Sequence, residues 1–358
     1  MRIFKDALLH NLQAYQKAQP SLQFAPVLKS NAYGHGLVPV ARILDSAPKP
    51  FFVVDSFYEA LTLRQAGIKS PLLMLGFNQL EQLLRPRLKN CAMAIIDFAT
   101  LEQVAAKLKQ PARYHLKIDT GMHRQGILPE QIERAIGLIK ANPNFILEGL
   151  CSHLADADGL DRAFTEKQIK VWNEAATEFQ DRFPNLKYLH LAASAGTFYA
   201  GKIKANAARL GLGLYGFNAS PFVRLPLQPA LEMASVIATI RSIPAGEKIG
   251  YNATWQAARS TLAATVPAGY SEGVDRRLSN RGFYRIGEKF CPLIGRVSMN
   301  ISSVDITDAP QARLGDEVII ISRRAEDKNS AQAIAELCQT IVYEILVHIP
   351  AHLRRVII

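Results

Sequence analysis

The chain has 358 residues, 49% of them apolar, with 42 Lys and Arg against 31 Asp and Glu for a formal charge of +11. That length predicts a barrel-sized domain with a second domain beside it. The basic surplus is spread along helical segments without interleaved aromatics, so neither nucleic acid nor a membrane surface is expected as a partner. No apolar run approaches a membrane span, the start Met1-Arg-Ile-Phe-Lys-Asp lacks a signal peptide, and Cys91, Cys151, Cys291 and Cys338 lie far apart. Such cysteines suit a cytoplasmic protein with no disulfides and no metal site.

From the amino terminus the pattern alternates. Strand-like apolar runs fall at about 22–28, 51–54, 71–75, 92–96, 114–118, 146–151, 187–191 and 207–214. Most are separated by helix-length segments with apolar residues at three- and four-residue steps, as in Leu101, Val104 and Leu108 or Ile132, Ile136 and Ile139. Eight such strands predict an α/β fold, a (β/α)8 TIM barrel over 1–218. The helix before the eighth strand is expected to be short, because Gly196 and Gly201 interrupt it. Around Pro221, Pro226 and Pro229 the texture changes to short β-rich runs at 233–240, 260–266 and 317–321, with one helix near 331–346. Residues 219–358 are therefore expected to form a smaller, mainly-β carboxyl-terminal domain.

Polar residues concentrate at one end of the predicted strands. Lys29, Asp55, Asp97, Asp119, His153, Ser194 and Arg209 all fall at or just beyond strand carboxyl ends, which is the catalytic rim of a barrel. Asp55 and Asp97 read as helix caps or turn residues. Singly, Arg209 would suit a salt bridge, and His153 a satisfied core position. Ser194 and the Gly-rich run Arg209-Leu-Gly-Leu-Gly-Leu-Tyr-Gly follow strands seven and eight, where barrels usually cradle a phosphate with backbone N–H groups and a hydroxyl. Gly211 and Gly213 also suit tight backbone packing. A lysine closing the first strand can supply a Schiff-base amine.

The stretch Lys29-Ser-Asn-Ala-Tyr33-Gly-His-Gly closely resembles the cofactor-attachment segment of alanine racemases. The resemblance extends over almost the whole chain and implies pyridoxal 5′-phosphate (PLP) held by Lys29, with its phosphate bound by Tyr33, Ser194, Gly211 and Leu212. It implies Arg209 against the pyridine nitrogen, which an always-protonated partner leaves largely unprotonated, disfavouring transamination. Lys117-Ile-Asp-Thr-Gly-Met-His-Arg124 resembles the segment whose lysine, often carbamylated, positions the arginine that meets the substrate carboxylate. His153 matches the histidine linking the catalytic tyrosine to Arg209. Tyr251, in Gly-Tyr-Asn-Ala-Thr-Trp, matches that tyrosine. A phenol ordinarily keeps its proton at neutral pH, so a neighbour such as His153 or Arg209 must favour its phenolate.

The implied enzyme is an isomerase that interconverts L- and D-alanine with two bases, Lys29 on the D-face and Tyr251 on the L-face, supplying D-alanine for peptidoglycan. Its partners are a small amino-acid substrate and a second copy of the chain. In the family the tyrosine comes from the partner's β domain, which implies a head-to-tail homodimer with shared active sites, and Met299 and Tyr270 match substrate-side positions. Departures bear on substrate choice. His123 replaces a usual glycine, Ser298-Met-Asn300 replaces Cys-Met-Asp, and Ile357 replaces a phosphate-binding tyrosine, a loss of about 0.5–1.5 kcal/mol for one hydrogen bond. An amino-terminal strand of the second domain is also expected to be missing. A racemase for serine or a broader set of amino acids is an alternative. A barrel-type PLP decarboxylase or a non-catalytic PLP-binding protein fits less well, given Tyr251 and the second domain.

Overall fold

The computed structural model describes Met1–Ile358, which divide into two compact units. One comprises Asp6–Ala32 and Val40–Gln228; the other gathers Met1–Lys5, Tyr33–Pro39 and Pro229–Ile358. The second unit is thus assembled from three stretches of chain, not from the carboxyl-terminal part alone.

The first unit is built on eight parallel strands: β1 (Gln23–Pro26), β2 (Phe52–Val54), β3 (Leu72–Met74), β4 (Cys91–Ile95), β5 (Ala112–Lys117), β6 (Phe145–Cys151), β7 (Tyr188–His190) and β8 (Ala207–Leu210). Strands β2 to β7 pair in sequence order, and β1 pairs with β8 in the register Gln23↔Ala207. The bridges Val27↔Val53 and Ala193↔Arg209 close the ring. Every residue of β2, β3 and β4 is buried, as expected for strands covered on both faces, and this is why they read as continuous apolar runs. Between β5 and β6, the helix Ile132–Ala141 buries Ile132, Ala135, Ile136 and Ile139 along one stripe.

Local chemistry explains the element ends. Asp97 caps the helix Phe98–Lys107, its Oδ1 accepting from Thr100 N at 2.8 Å. The expected cap at Asp55 falls one residue later: Ser56 caps Phe57–Gln65, accepting from Glu59 N. Before β8 the chain manages only the 3-10 segment Ala195–Lys202, in keeping with its two glycines.

In the second unit, a six-stranded sheet runs in the order Lys289–Pro292, Phe283–Ile286, Glu317–Ile321, Leu231–Val236, Arg2–Ile3, Val356–Ile357. Thr239–Ile243, Thr261–Val266 and Ser302–Asp305 form a separate antiparallel sheet. Three expectations need correction here. An amino-terminal strand, expected to be absent, is present as Arg2–Ile3, antiparallel to Leu231–Val236 with Arg2 Nη1 2.8 Å from Glu232 Oε1. The apolar run at 233–240 is shared between two sheets. The single helix at 331–346 is two, Ala331–Leu337 and Val342–Val347, separated where Gln339 adopts φ +54°. No helix in the structure is long and apolar enough to cross a membrane.

Candidate active site

Lys29 follows β1 and opens an unusual turn. Ser30, Asn31, Ala32 and Tyr33 have φ of 55°, 55°, 53° and 51°, a run of left-handed helix without a glycine. Each such residue costs roughly 1–2 kcal/mol, so surrounding contacts must impose the turn. Glu59 supplies them: its Oε1 accepts from Ser30 N at 2.7 Å and Asn31 N at 3.4 Å, while Oε2 accepts from Asp55 N at 2.8 Å. Nothing in the sequence singles out Glu59. The turn ends at Gly34, where a Cβ would lie 2.1 Å from the carbonyl oxygen of Leu346, and Arg355 Nη2 donates to Gly34 O at 2.8 Å. Tyr33 is buried and packs on the ring of Tyr343.

Beyond β7 and β8, Ser194 Oγ accepts from the backbone N–H of both Gly211 and Gly213 at 3.2 Å. Leu212–Tyr215 forms a 3-10 turn, and a Cβ on Gly213 would come 2.5 Å from the Tyr15 ring. The buried Ser194 hydroxyl and the backbone N–H groups of Gly211 and Gly213 converge on one spot, donor chemistry of the kind that fits a phosphate.

Arg209 is 3% exposed and anchored on several sides. Its Nη1 donates to His190 Nδ1 at 2.7 Å and to His190 O at 2.5 Å. Its Nη2 donates to Ser152 O at 2.6 Å, Leu191 O at 2.9 Å and His153 Nδ1 at 3.1 Å. Arginine has no acceptor, so His153 Nδ1 must be bare. Burial, then Arg209, Arg124, Lys117 and Lys29, push the His153 imidazole down to about 3, so it is neutral at any working pH. His153 therefore acts through hydrogen bonds, not as a cation.

Lys117 closes β5 and is buried, its Nζ donating to Gln125 Oε1 at 2.8 Å. Burial foremost, with Arg209, Arg124 and Lys29, pushes its amine below the usual lysine range, while Cys151 acts the other way. Asp119 shapes the following loop, its Oδ1 accepting from Gly121 N at 2.9 Å and His123 N at 3.1 Å. His123 has φ +53°, which explains why glycine is usual there and why histidine is strained. Arg124 lies exposed on this loop.

In the second unit, Tyr270 and Met299 belong to neighbouring loops, joined by Tyr270 N to Ser298 O at 3.1 Å and Ser271 N to Met299 O at 2.8 Å. A Cβ on Gly269 would strike Ser298 O, which explains the Ala-Gly-Tyr run. Asn300 Nδ2 donates to Glu272 Oε1 at 2.8 Å. Tyr251 stands on a separate short turn, Tyr251–Ala253, and is 66% exposed. Ile357, on the short strand Val356–Ile357, is also exposed.

The buried histidines have a measurable consequence. His115, His153 and His190 all titrate below 6.5, principally because burial disfavours their charged forms. The unfolded chain takes up these protons as pH falls through 6.5, so the stabilisation is complete above that value. It is lost toward acid, down to about 3 for His153. The urea midpoint should drop from about pH 7 to about pH 5, and His153→Asn should flatten that drop. An unchanged midpoint across the interval would contradict the burial argument.

Comparison with known proteins accounts for this arrangement. The family models described as "Alanine racemase, N-terminal domain" and "Alanine racemase, C-terminal domain" match residues 3–219 and 230–357. The alanine racemase of Syntrophobacter fumaroxidans is 36% identical, over 95% of this chain and 92% of that protein; that of Sorangium cellulosum is 34% identical, over 97% and 96%. Among solved structures, alanine racemase from Bacillus anthracis with bound L-Ala-P superposes with a TM-score of 0.91 at 30% identity, covering 100% of this chain and 94% of that one. The E. faecalis enzyme gives 0.91 at 28% identity, covering 99% and 97%. With a barrel whose first strand leads into Lys29, backbone donors gathered on Ser194 and a buried Arg209, and with both domain models matched along its length, the chain belongs to the alanine racemase family.

Proposed function

We propose that Lys29 and Tyr251 are the two bases of this enzyme, acting on opposite faces of the substrate. Its activity is the racemisation of alanine, and its cofactor is pyridoxal 5′-phosphate. Bound, the cofactor withdraws electrons from the amino acid and acidifies its Cα–H. Lys29 would hold it covalently, with Ser194, Gly211, Leu212 and Tyr33 taking its phosphate and Arg209 its ring nitrogen. The observation that carries this reading is Arg209, a permanently protonated group fixed by three backbone carbonyls and two imidazoles. Such rigidity suits a donor that must stay protonated beside the ring.

Lys29 takes and returns the proton on the D-face, and Tyr251 on the L-face. A His153 that accepts from Arg209 at Nδ1 keeps its proton at Nε2, from which it can donate to the Tyr251 oxygen and favour the phenolate. Arg124 receives the substrate carboxylate, with Met299 and Tyr270 bounding the substrate. The lowered Lys117 amine supports carbamylation, because the neutral amine is the form that adds carbon dioxide. The added carboxylate would then hold Arg124.

Tyr251, Tyr270 and Met299 are all exposed on the second unit, which supports their completing the site of another copy in a head-to-tail homodimer. Four buried free cysteines suit a reducing cytoplasm, where the D-alanine made would go to peptidoglycan.

Mixing two inactive variants tests the shared site. Lys29→Ala and Tyr251→Phe subunits, dissociated and reassociated together, should recover about a quarter of wild-type activity, since random pairing makes half the dimers mixed and leaves one intact site in each. No recovery in verified mixed dimers would mean that Lys29 and Tyr251 of one chain serve the same site.

A further inference from the structure

A line of polar groups, buried except at its far end, runs from Arg209 through the barrel. Arg209 Nη1 lies 2.7 Å from His190 Nδ1, His190 Nε2 lies 2.7 Å from His115 Nδ1, and His115 Nε2 lies 3.8 Å from Glu148 Oε2. Both imidazoles are completely buried. Counting protons fixes the line in one direction. Arginine can only donate, so His190 Nδ1 is bare and neutral His190 carries its proton on Nε2. That proton points at His115 Nδ1, which must accept, leaving the His115 proton on Nε2 toward the Glu148 carboxylate. A cation at one end and an anion at the other select the same order. The reverse order would set two donors against each other at Arg209.

The barrel is shaped around this line. The β5–β6 register slips between Tyr114 and His115, pairing Tyr114 with Leu147 and His115 with Gly149, so that Glu148 is an extra residue. A bulge of this kind re-aims a side chain. Gly149 leaves room for the ring, since a Cβ there would lie 2.6 Å from His115 Nδ1. Phe51 meets His115 edge-on at 5.4 Å, and Tyr188 stacks on it at 5.9 Å. Glu148 also faces Arg113 and Lys187, each at 3.9 Å. Burial opposes its ionisation, but His115, Arg113 and Lys187 outweigh it and hold the carboxyl below its usual range.

We propose that His115 and Glu148 are positioning residues for Arg209: the Glu148 carboxylate orients His115, and His115 holds His190 in the tautomer that accepts from the guanidinium. The functional half rests on Arg209 meeting the cofactor ring; the tautomer half does not. With the far end removed, only Arg209 still selects this tautomer, and the other, whose Nδ1–H opposes the guanidinium and displaces it, becomes populated.

The test combines nitrogen NMR of histidine-labelled protein, with and without cofactor, and steady-state kinetics. With only 8 histidines in the chain, signals can be assigned by single substitutions. In the wild type, His115 and His190 should both show a protonated Nε2 and a bare Nδ1. Glu148→Gln, which can offer His115 a donor in place of an anion, should mix the tautomers at both rings. Gly149→Ala, which changes no charge, should perturb the same signals. In the loaded enzyme, Glu148→Gln should lower kcat on the order of tenfold, the scale of one lost charge–dipole contact to a buried ring, with little change in KM. His115→Leu should do the same and His115→Gln, which restores an acceptor, should recover most of it. Unaltered tautomers in both Glu148→Gln and Gly149→Ala overturn the proposal, and altered tautomers with wild-type kcat overturn its functional half. An error in the reading of Arg209 itself shows separately, as an Arg209→Lys enzyme of unchanged kcat.

Discussion

Replacing Lys29 by alanine should abolish racemisation, lowering kcat by at least about 10⁴-fold, because one substitution removes both the covalent hold on the cofactor and one of the two bases. The protein should still fold, since Lys29 is only partly buried and the left-handed turn after it is held by Glu59 through backbone N–H groups. Cofactor binding should weaken without vanishing, because the cradle at Ser194, Gly211 and Gly213 and the anchored Arg209 are untouched. Borohydride treatment followed by peptide mass analysis should locate the cofactor on the Lys29 peptide in the wild type and on no peptide in the variant. A small amine added from solution should restore part of the proton transfer in Lys29→Ala. Labelling at another lysine, or retention of more than about a hundredth of the activity, would remove Lys29 from its assigned place.

The barrel is legible in the chain because β2, β3 and β4, covered on both faces, are continuous apolar runs, and because several polar residues that break the pattern sit where strands end. Lys29, His153, Ser194 and Arg209 could be picked out for that reason. The remaining features run against local pattern. The four residues after Lys29 carry no glycine, yet all adopt positive φ. Their conformation is imposed by Glu59, a residue that otherwise reads as part of a helix start. His115 and His190 lie on barrel strands and look like core, and only the fold shows His115 Nδ1 and His190 Nε2 2.7 Å apart. Arg2–Ile3 is too short to announce a strand, and it forms one because Leu231–Val236 and Val356–Ile357 pair with it on either side. The run at 233–240 reads as one strand because apolar content says nothing about which sheet accepts each half.

Tyr251→Phe should produce an asymmetric defect, more informative than its size. The change deletes one hydroxyl from a side chain that is 66% exposed on a short turn, so stability should stay within about 0.5 kcal/mol of wild type. Racemisation should fall by about 10² to 10⁴, the usual contribution of a positioned base. In deuterated solvent, D-alanine should continue to exchange its Cα hydrogen, because Lys29 still serves that face, but it should return as D-alanine. L-alanine should lose exchange and inversion together, since no other group is assigned to its face. His153 cannot replace the phenol: with Nδ1 committed to Arg209 and its ring neutral down to about 3, its remaining nitrogen carries a proton and has no lone pair to offer. Equal loss of exchange from both enantiomers, or inversion near the wild-type rate, would show that the two faces are not divided between Lys29 and Tyr251. Either result would require a different second base, to be sought among the groups around Arg209.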